Sequence, residues 1–161
     1  MEKSFQKNNL SGLGMGTWGI GEDASKKKDE LAALRYGLDH GIKVIDTAEM
    51  YGEGRSEKLV GEAIRDYDRS KIFLISKFYP YHASPELERQ SLEKSLKRLG
   101  TDYLDLYLLH WRGDKRLSET VRGLKELQKE GLIRHWGVSN FDVTDLEELF
   151  SVPGGKDCFA N

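Results

Sequence analysis

The 161-residue sequence predicts an α/β protein built as an incomplete (β/α)8 TIM barrel, and three observations carry that reading. Short apolar runs alternate strictly with amphipathic helical stretches, the pattern of a parallel sheet with crossover helices. The runs recur at intervals of roughly 30 residues, the length of one strand–helix unit. Each run also ends in a residue capable of chemistry: Val44-Ile45 at Asp46, Ile72-Phe73-Leu74-Ile75 at Lys77, Leu106-Tyr107-Leu108-Leu109 at His110, and Trp136-Gly137-Val138 at Ser139-Asn140. Side chains delivered from the C-terminal ends of successive parallel strands are how a barrel of this kind builds an active site.

The elements follow in order. Phe5 to Leu13 holds Asn8-Asn9 between two short runs and reads as an N-terminal β-hairpin. Gly12, Gly14 and Gly16 make no dinucleotide fingerprint, because the strand, helix start and spacing it requires are absent. Gly14 to Trp18 reads as the first barrel strand, with a flexible glycine loop as the alternative. Asp29 to His40 places Leu31, Leu34 and Leu38 on one helical face and stops at Gly41. Val44-Ile45, bounded by glycine and polar residues, reads as a strand buried on both faces.

Ser56 is expected to cap the second helix, with Glu57 in its first turn and Leu59, Val60, Ala63 and Ile64 inward. Ser84-Pro85-Glu86 opens the third as cap, proline and acid, with Leu92, Leu96 and Leu99 as its apolar face and Gly100 as its end. Ser118 starts the fourth, which carries Val121, Leu124 and Leu127 and closes at Gly131. Asp142 caps the fifth, whose face is Leu146, Leu149 and Phe150, before Val152-Pro153-Gly154-Gly155 breaks it. Cys158-Phe159-Ala160 looks like a sixth strand at its beginning. About five and a half of eight units are therefore present, and residues 1–161 read as the N-terminal part of one barrel domain.

Composition narrows the function classes. Lys and Arg total 25 against 27 for Asp and Glu, a formal charge of −2, which argues against an electrostatic nucleic-acid binder. No apolar run reaches the length of a membrane span, and Met1-Glu2-Lys3-Ser4 lacks a signal peptide's apolar segment. The single cysteine, Cys158, has no intrachain disulfide partner and no companions for a zinc site, and reads as a small core group. A cytoplasmic setting is expected.

The strand ends define the chemistry. A tyrosine hydroxyl, with an ordinary pKa near ~10, gives up its proton reluctantly at neutral pH. A lysine ammonium within a few ångströms favours the phenolate, and a carboxylate is needed to keep that ammonium charged in a buried site. Tyr51 can then act as a general acid, Lys77 as its modulator, Asp46 as the partner of Lys77, and His110 as a donor that polarises a substrate carbonyl. No activated Ser or Cys is evident, so a hydride from a bound cofactor is the economical nucleophile. Taken singly, each residue has a plainer reading. Asp46 or Ser139-Asn140 could cap a turn, Tyr51 could be an ordinary half-buried tyrosine, Lys77 a snorkelling surface lysine, and His110 a satisfied core histidine. Joint placement at equivalent strand ends overturns those separate readings. His40, His82 and His135 have no such setting and read as structural.

The stretch Gly41-Ile42-Lys43-Val44-Ile45-Asp46-Thr47-Ala48-Glu49-Met50-Tyr51-Gly52, continued by Gly52-Glu53-Gly54-Arg55-Ser56-Glu57, resembles the first signature of the aldo-keto reductases. Arg134-His135-Trp136-Gly137-Val138-Ser139-Asn140-Phe141 is similar to that family's second signature and departs from it at Trp136, where an aliphatic residue is more usual. The resemblance runs from about Leu10 onward. It implies a catalytic tetrad of Asp46, Tyr51, Lys77 and His110. It also implies cofactor contacts at Gly16, Thr17, Trp18, Asp46, Ser139 and Asn140, the last two on the nicotinamide carboxamide. Substrate contacts are implied at Trp18, Tyr51, His110 and Trp111, the two tryptophans walling an apolar pocket.

By the same resemblance the activity is reduction of aldehydes or ketones with NADPH, without a metal. The family's site for the adenosine phosphate and its later strands are not in this sequence. Two expectations therefore stand side by side: the N-terminal portion of an NADP-dependent reductase, or a partial barrel that catalyses nothing and serves as an interaction or regulatory module. Open sheet edges predict self-association in either case.

Overall fold

The computed structural model describes residues 12–161, so the hairpin expected over Phe5 to Leu13 lies outside the described residues except at its end. Five strands and five α-helices alternate: β1 (Gly14–Gly16), α1 (Lys27–Asp39), β2 (Val44–Asp46), α2 (Arg55–Ile64), β3 (Phe73–Phe78), α3 (Pro85–Leu99), β4 (Leu104–Leu109), α4 (Leu117–Lys129), β5 (Ile133–Val138) and α5 (Val143–Ser151). The strands pair in sequence order, every pair parallel. Strands joined by crossover helices in that order form the wall of a barrel.

The main core lies between sheet and helices. Ile45, Leu74, Phe78, Tyr107, Leu109, Trp136 and Val138 point outward from the strands. They meet Leu59, Val60, Leu92, Leu99, Leu124 and Leu127 from the helices. Trp136, the departure noted in the second signature, sits in this layer with its indole nitrogen buried and unpaired among the described residues. A smaller cluster of Phe73, Leu106 and Leu108, with Phe159 and Ala160 against it, lines the inner face. Near the β1 edge that face is less covered. Val44 and Asp46 are only half-buried while Ile45 is fully buried, which corrects the expectation of a strand covered on both sides.

Several helix starts differ from their sequence reading. α2 begins after Gly54, whose φ of +83° makes it the residue before the first turn, so Ser56 is inside the helix and caps nothing. A side chain on Gly54 would also run into Arg98. Arg116 rather than Ser118 precedes α4, and Ser84 precedes α3 without a side-chain capping bond. Asp142 does cap α5, in a reciprocal capping box with Asp145. Leu149 is buried in that helix and Leu146 partly so, but Phe150 is 43% exposed. A rotation of about 100° per residue places it on the shoulder of the Leu149 face. Cys158 packs against the core, and beyond it Phe159 N donates to Trp136 O while Val138 N donates to Ala160 O, both at 2.9 Å, so these residues hydrogen-bond alongside β5 without forming an assigned strand of their own.

Two buried ion clusters fix the layers. The Glu57 carboxylate, fully enclosed, accepts from Arg98 Nε at 2.5 Å and from the Ser76 hydroxyl at 2.6 Å, joining α2, α3 and β3. At the opposite end of the strands Asp105 accepts from Leu74 N and pairs with Arg69 and Arg134, whose guanidiniums flank the Tyr103 ring at 4.2 and 4.3 Å. Among the described residues no helix is long and apolar enough to cross a membrane.

Candidate active site

The register of the sheet assembles the site. Asp46 pairs with Ile75, and Lys77 is the next inward-facing residue along β3. Thr47 N donates to Ile75 O and Glu49 N to Lys77 O, continuing the ladder past the end of β2 and pulling the loop that carries Tyr51 over the β3 end. A left-handed run at Gly52, Glu53 and Gly54 then turns the chain into α2.

Lys77 is buried, its side chain 7% exposed. Its ammonium lies 2.7 and 2.8 Å from the two Asp46 carboxylate oxygens, 3.0 Å from Thr47 O and 3.2 Å from the Tyr51 hydroxyl. A buried ammonium is costly unless it is paired and its hydrogens are placed. Three N–H groups meet a carboxylate, a carbonyl and a phenol oxygen here, so each has an acceptor. The ammonium accepts nothing, so Tyr51 receives from Lys77 and retains its own O–H to donate elsewhere.

His110 follows β4 and stands edge-on to Tyr51, ring centroids 5.7 Å apart. Its Nδ1 is buried with no hydrogen-bond partner among the described residues. Burial first, and the Lys77 charge second, push its pKa down to about 4, so the ring is neutral near pH 7. Trp111 leans on His110 at 4.9 Å and meets Tyr79 edge-on at 6.1 Å. Trp18, by contrast, is 81% exposed and makes no ring contact among the described residues. The structure thus groups Asp46, Tyr51, Lys77, His110 and Trp111, and leaves Trp18 apart from that aromatic group.

Gly16 is exposed at the end of β1, with nothing within 4 Å of where a Cβ would stand. Thr17 is fully buried, its hydroxyl donating to Asp46 O at 3.0 Å, so that group turns into the protein. Asn140 adopts a left-handed φ of +58°, a conformation asparagine tolerates better than most residues. Its side-chain amide donates to His110 O at 2.9 Å and to the Ser139 hydroxyl oxygen at 3.1 Å. That leaves the Asn140 side-chain carbonyl as an acceptor and the Ser139 hydroxyl proton as a donor, the complement of a carboxamide.

Sequence reasoning missed three residues beside the site. Glu49, buried, accepts from Tyr79 N at 2.7 Å and lies 3.0 Å from His82 Nδ1, which also meets the Ser91 hydroxyl at 2.7 Å. The Tyr79 ring stacks on Tyr81 at 4.7 Å. Thr47 contributes its backbone carbonyl, for which no sequence signal exists. Tyr79 was findable as an aromatic residue directly following a strand end, and Glu49 as a carboxylate between Asp46 and Tyr51. Among the described residues no group of three or more His, Cys, Asp or Glu side chains could hold a metal ion.

With this geometry in hand, comparison with known proteins gives a consistent result. The Aldo/keto reductase family model matches residues 12–157. The chain is 52% identical over 152 residues to methylglyoxal reductase YeaE of Escherichia coli, covering 94% of this chain and 53% of that protein. It is 39% identical over 155 residues to aldo-keto reductase YhdN of Bacillus subtilis, covering 88% and 47% respectively. The crystal structure of an aldo/keto reductase from Klebsiella pneumoniae in complex with NADP and acetate superimposes with a TM-score of 0.90 at 51% identity, over 92% of this chain and 52% of that one. The chain belongs to the aldo/keto reductase family. It spans about half the length of the curated relatives it matches.

Proposed function

We propose that this chain carries the proton-transfer site of an NADPH-dependent oxidoreductase that reduces aldehydes or ketones to alcohols. The observation that carries the proposal is the Lys77 ammonium, held by Asp46 and Thr47 and donating to the Tyr51 hydroxyl oxygen at 3.2 Å. That contact stabilises negative charge on the phenol oxygen as its proton leaves, so Tyr51 can protonate a substrate oxygen that is gaining charge. His110 is the second donor to the same oxygen. An N–H buried without an acceptor is more costly than a buried lone pair, so the unpaired Nδ1 is assigned as the bare nitrogen and the proton to Nε2. Neutral at working pH, the ring donates a hydrogen bond without releasing a proton.

NADPH, when bound, supplies the hydride. Ser139 and Asn140 offer the donor and acceptor that its carboxamide requires, which is the fit these residues support. The Klebsiella pneumoniae relative is described in complex with NADP and the Escherichia coli relative as a methylglyoxal reductase, which favours a small, reactive carbonyl compound as substrate. Trp111, packed on His110 and Tyr79, supplies an apolar wall for it.

Tyr51→Phe tests the reading. In a version of the protein extended to the length of its relatives, nicotinamide fluorescence is expected to report NADPH binding close to that of the unsubstituted form, while methylglyoxal reduction is lost. Turnover retained within a few-fold would place the acid on another group.

A further inference from the structure

We infer that Ser56 is a positioning residue for the Lys77–Tyr51 contact, acting through a buried line of hydroxyls that ends on the backbone carbonyl of Asp46. The inference rests on the reading of Tyr51 as general acid. Thr17, Thr47 and Ser56 are all fully buried, and they come from three different elements: the ends of β1 and β2 and the first turn of α2. Thr17 Oγ1 donates to Asp46 O at 3.0 Å. Its oxygen is then free to accept from Ser56, whose Oγ lies 2.8 Å away and also 3.0 Å from the Thr17 backbone carbonyl, so Ser56 holds Thr17 by side chain and main chain together. Thr47 Oγ1, 3.3 Å from Ser56 Oγ, completes the line from the other side. Each hydroxyl has one proton, and the direction Thr47 to Ser56 to Thr17 to the Asp46 carbonyl uses each of them once.

The line bears on the site because of what the Asp46–Thr47 peptide does. Asp46 O is held by Thr17 through both its amide and its hydroxyl, at 3.0 Å each, while Thr47 O receives Lys77 at 3.0 Å. Asp46 and Thr47 together take two of the three Lys77 hydrogens. The third is directed at Tyr51 only while those two acceptors stay in place. Helix capping does not explain Ser56, because its hydroxyl makes no capping bond. The next residue, Glu57, fixes the same helical turn to Ser76, the neighbour of Lys77, so helix docking has an independent anchor. Removing the Ser56 hydroxyl takes away the partner of the buried Thr47 Oγ1 and leaves Thr17 held by its own bonds to Asp46 O, and the Asp46–Thr47 segment is the nearest structure that can relax to satisfy the Thr47 hydroxyl.

Ser56→Ala is the test, made in a version extended to the length of the relatives and read by a crystal structure and by the split between kcat and KM for methylglyoxal with NADPH. The expected result is a Lys77–Tyr51 separation beyond hydrogen-bond length. A kcat loss on the order of 10²-fold, the cost of a misplacement of about 1 Å, should accompany a nearly unchanged KM. A folded Ser56→Ala protein with the 3.2 Å contact intact and an unchanged kcat overturns the inference. Should that variant fail to fold, Thr47→Val removes the same line's first donor at nearly constant volume and is judged by the same two outcomes. If Tyr51→Phe retains turnover, the general-acid reading fails, and the crystallographic separation still decides the role of Ser56.

Discussion

Lys77 and Tyr51 are 26 residues apart in the chain and 3.2 Å apart in space, with the lysine as donor and the tyrosine as acceptor. The direction of that bond leaves the tyrosine's own O–H free to donate elsewhere, and the Asp46 carboxylate pairs with the buried ammonium. The expected consequences of this arrangement, and of the buried groups around it, can each be measured.

Lys77→Met removes the charge at similar length. Turnover is expected to fall by on the order of 10²–10⁴-fold, the usual contribution of a tuned general acid. Asp46, only 35% exposed at its side chain, then loses its partner, so the melting temperature should also drop. Steady-state kinetics and calorimetry on the one variant check both effects.

His110 should titrate at about 4, below its ordinary value, because burial and the Lys77 charge both oppose protonation. Between about 4 and the ordinary value near 6.5 the unfolded chain binds a proton that the native ring refuses. The stability this group contributes is therefore complete above about 6.5 and declines as pH falls through that window. The imidazole C–H resonance followed by NMR checks it. A midpoint near 6.5 would show that the ring is solvated.

Glu49→Gln should weaken the bond from Tyr79 N and the pairing with His82, loosening the loop on which Trp111 leans. The expected kinetic signature is a KM for the carbonyl substrate raised several-fold with kcat little changed, since no contact to Lys77 or Tyr51 side chains is removed. Michaelis–Menten kinetics on wild type and variant separate the two parameters.

Glu88 on α3 is fully buried beneath α4, beside Gly123, and neither carboxyl oxygen has a hydrogen-bond partner among the described residues. Burial, reinforced by the nearby Glu126 charge, pushes its pKa up to about 9. The native state then holds a proton that the unfolded state releases above about 4.5, so this group's contribution is present below that pH and is lost as pH rises toward about 9. The loss is about 1.4 kcal/mol per pH unit where the difference is complete. Denaturant melts between pH 5 and 9, in wild type and Glu88→Gln, should show the slope in the first and its disappearance in the second.

Much of this was legible in the chain. Alternation of apolar runs with amphipathic helices, and Gly41, Gly100 and Gly131 after helices at φ of +86°, +66° and +80°, marked the element order closely. Asp46, Lys77 and His110 were visible as strand-end residues because strand ends are local features. Ser56 was misread for the same reason. A serine near a helix start is locally a cap, and only the arrival of Thr17 from 39 residues away makes it a link between elements. Phe150 was misread because periodicity gives the direction of a side chain and does not say how far the neighbouring helix extends to cover it.

By itself, the sequence determined which residue types stand at the ends of which strands, since hydrophobic period and turn chemistry are written in consecutive residues. It determined the family as well, through two stretches that read as signatures. Tertiary structure alone decided that Lys77 faces Asp46, Thr47 and Tyr51 together, that Tyr51 accepts from the lysine, and that Thr17 turns inward. Those outcomes depend on the stagger between neighbouring strands and on which polar groups are shut away from water, and a linear chain carries neither until the strands have paired and the helices have packed against them.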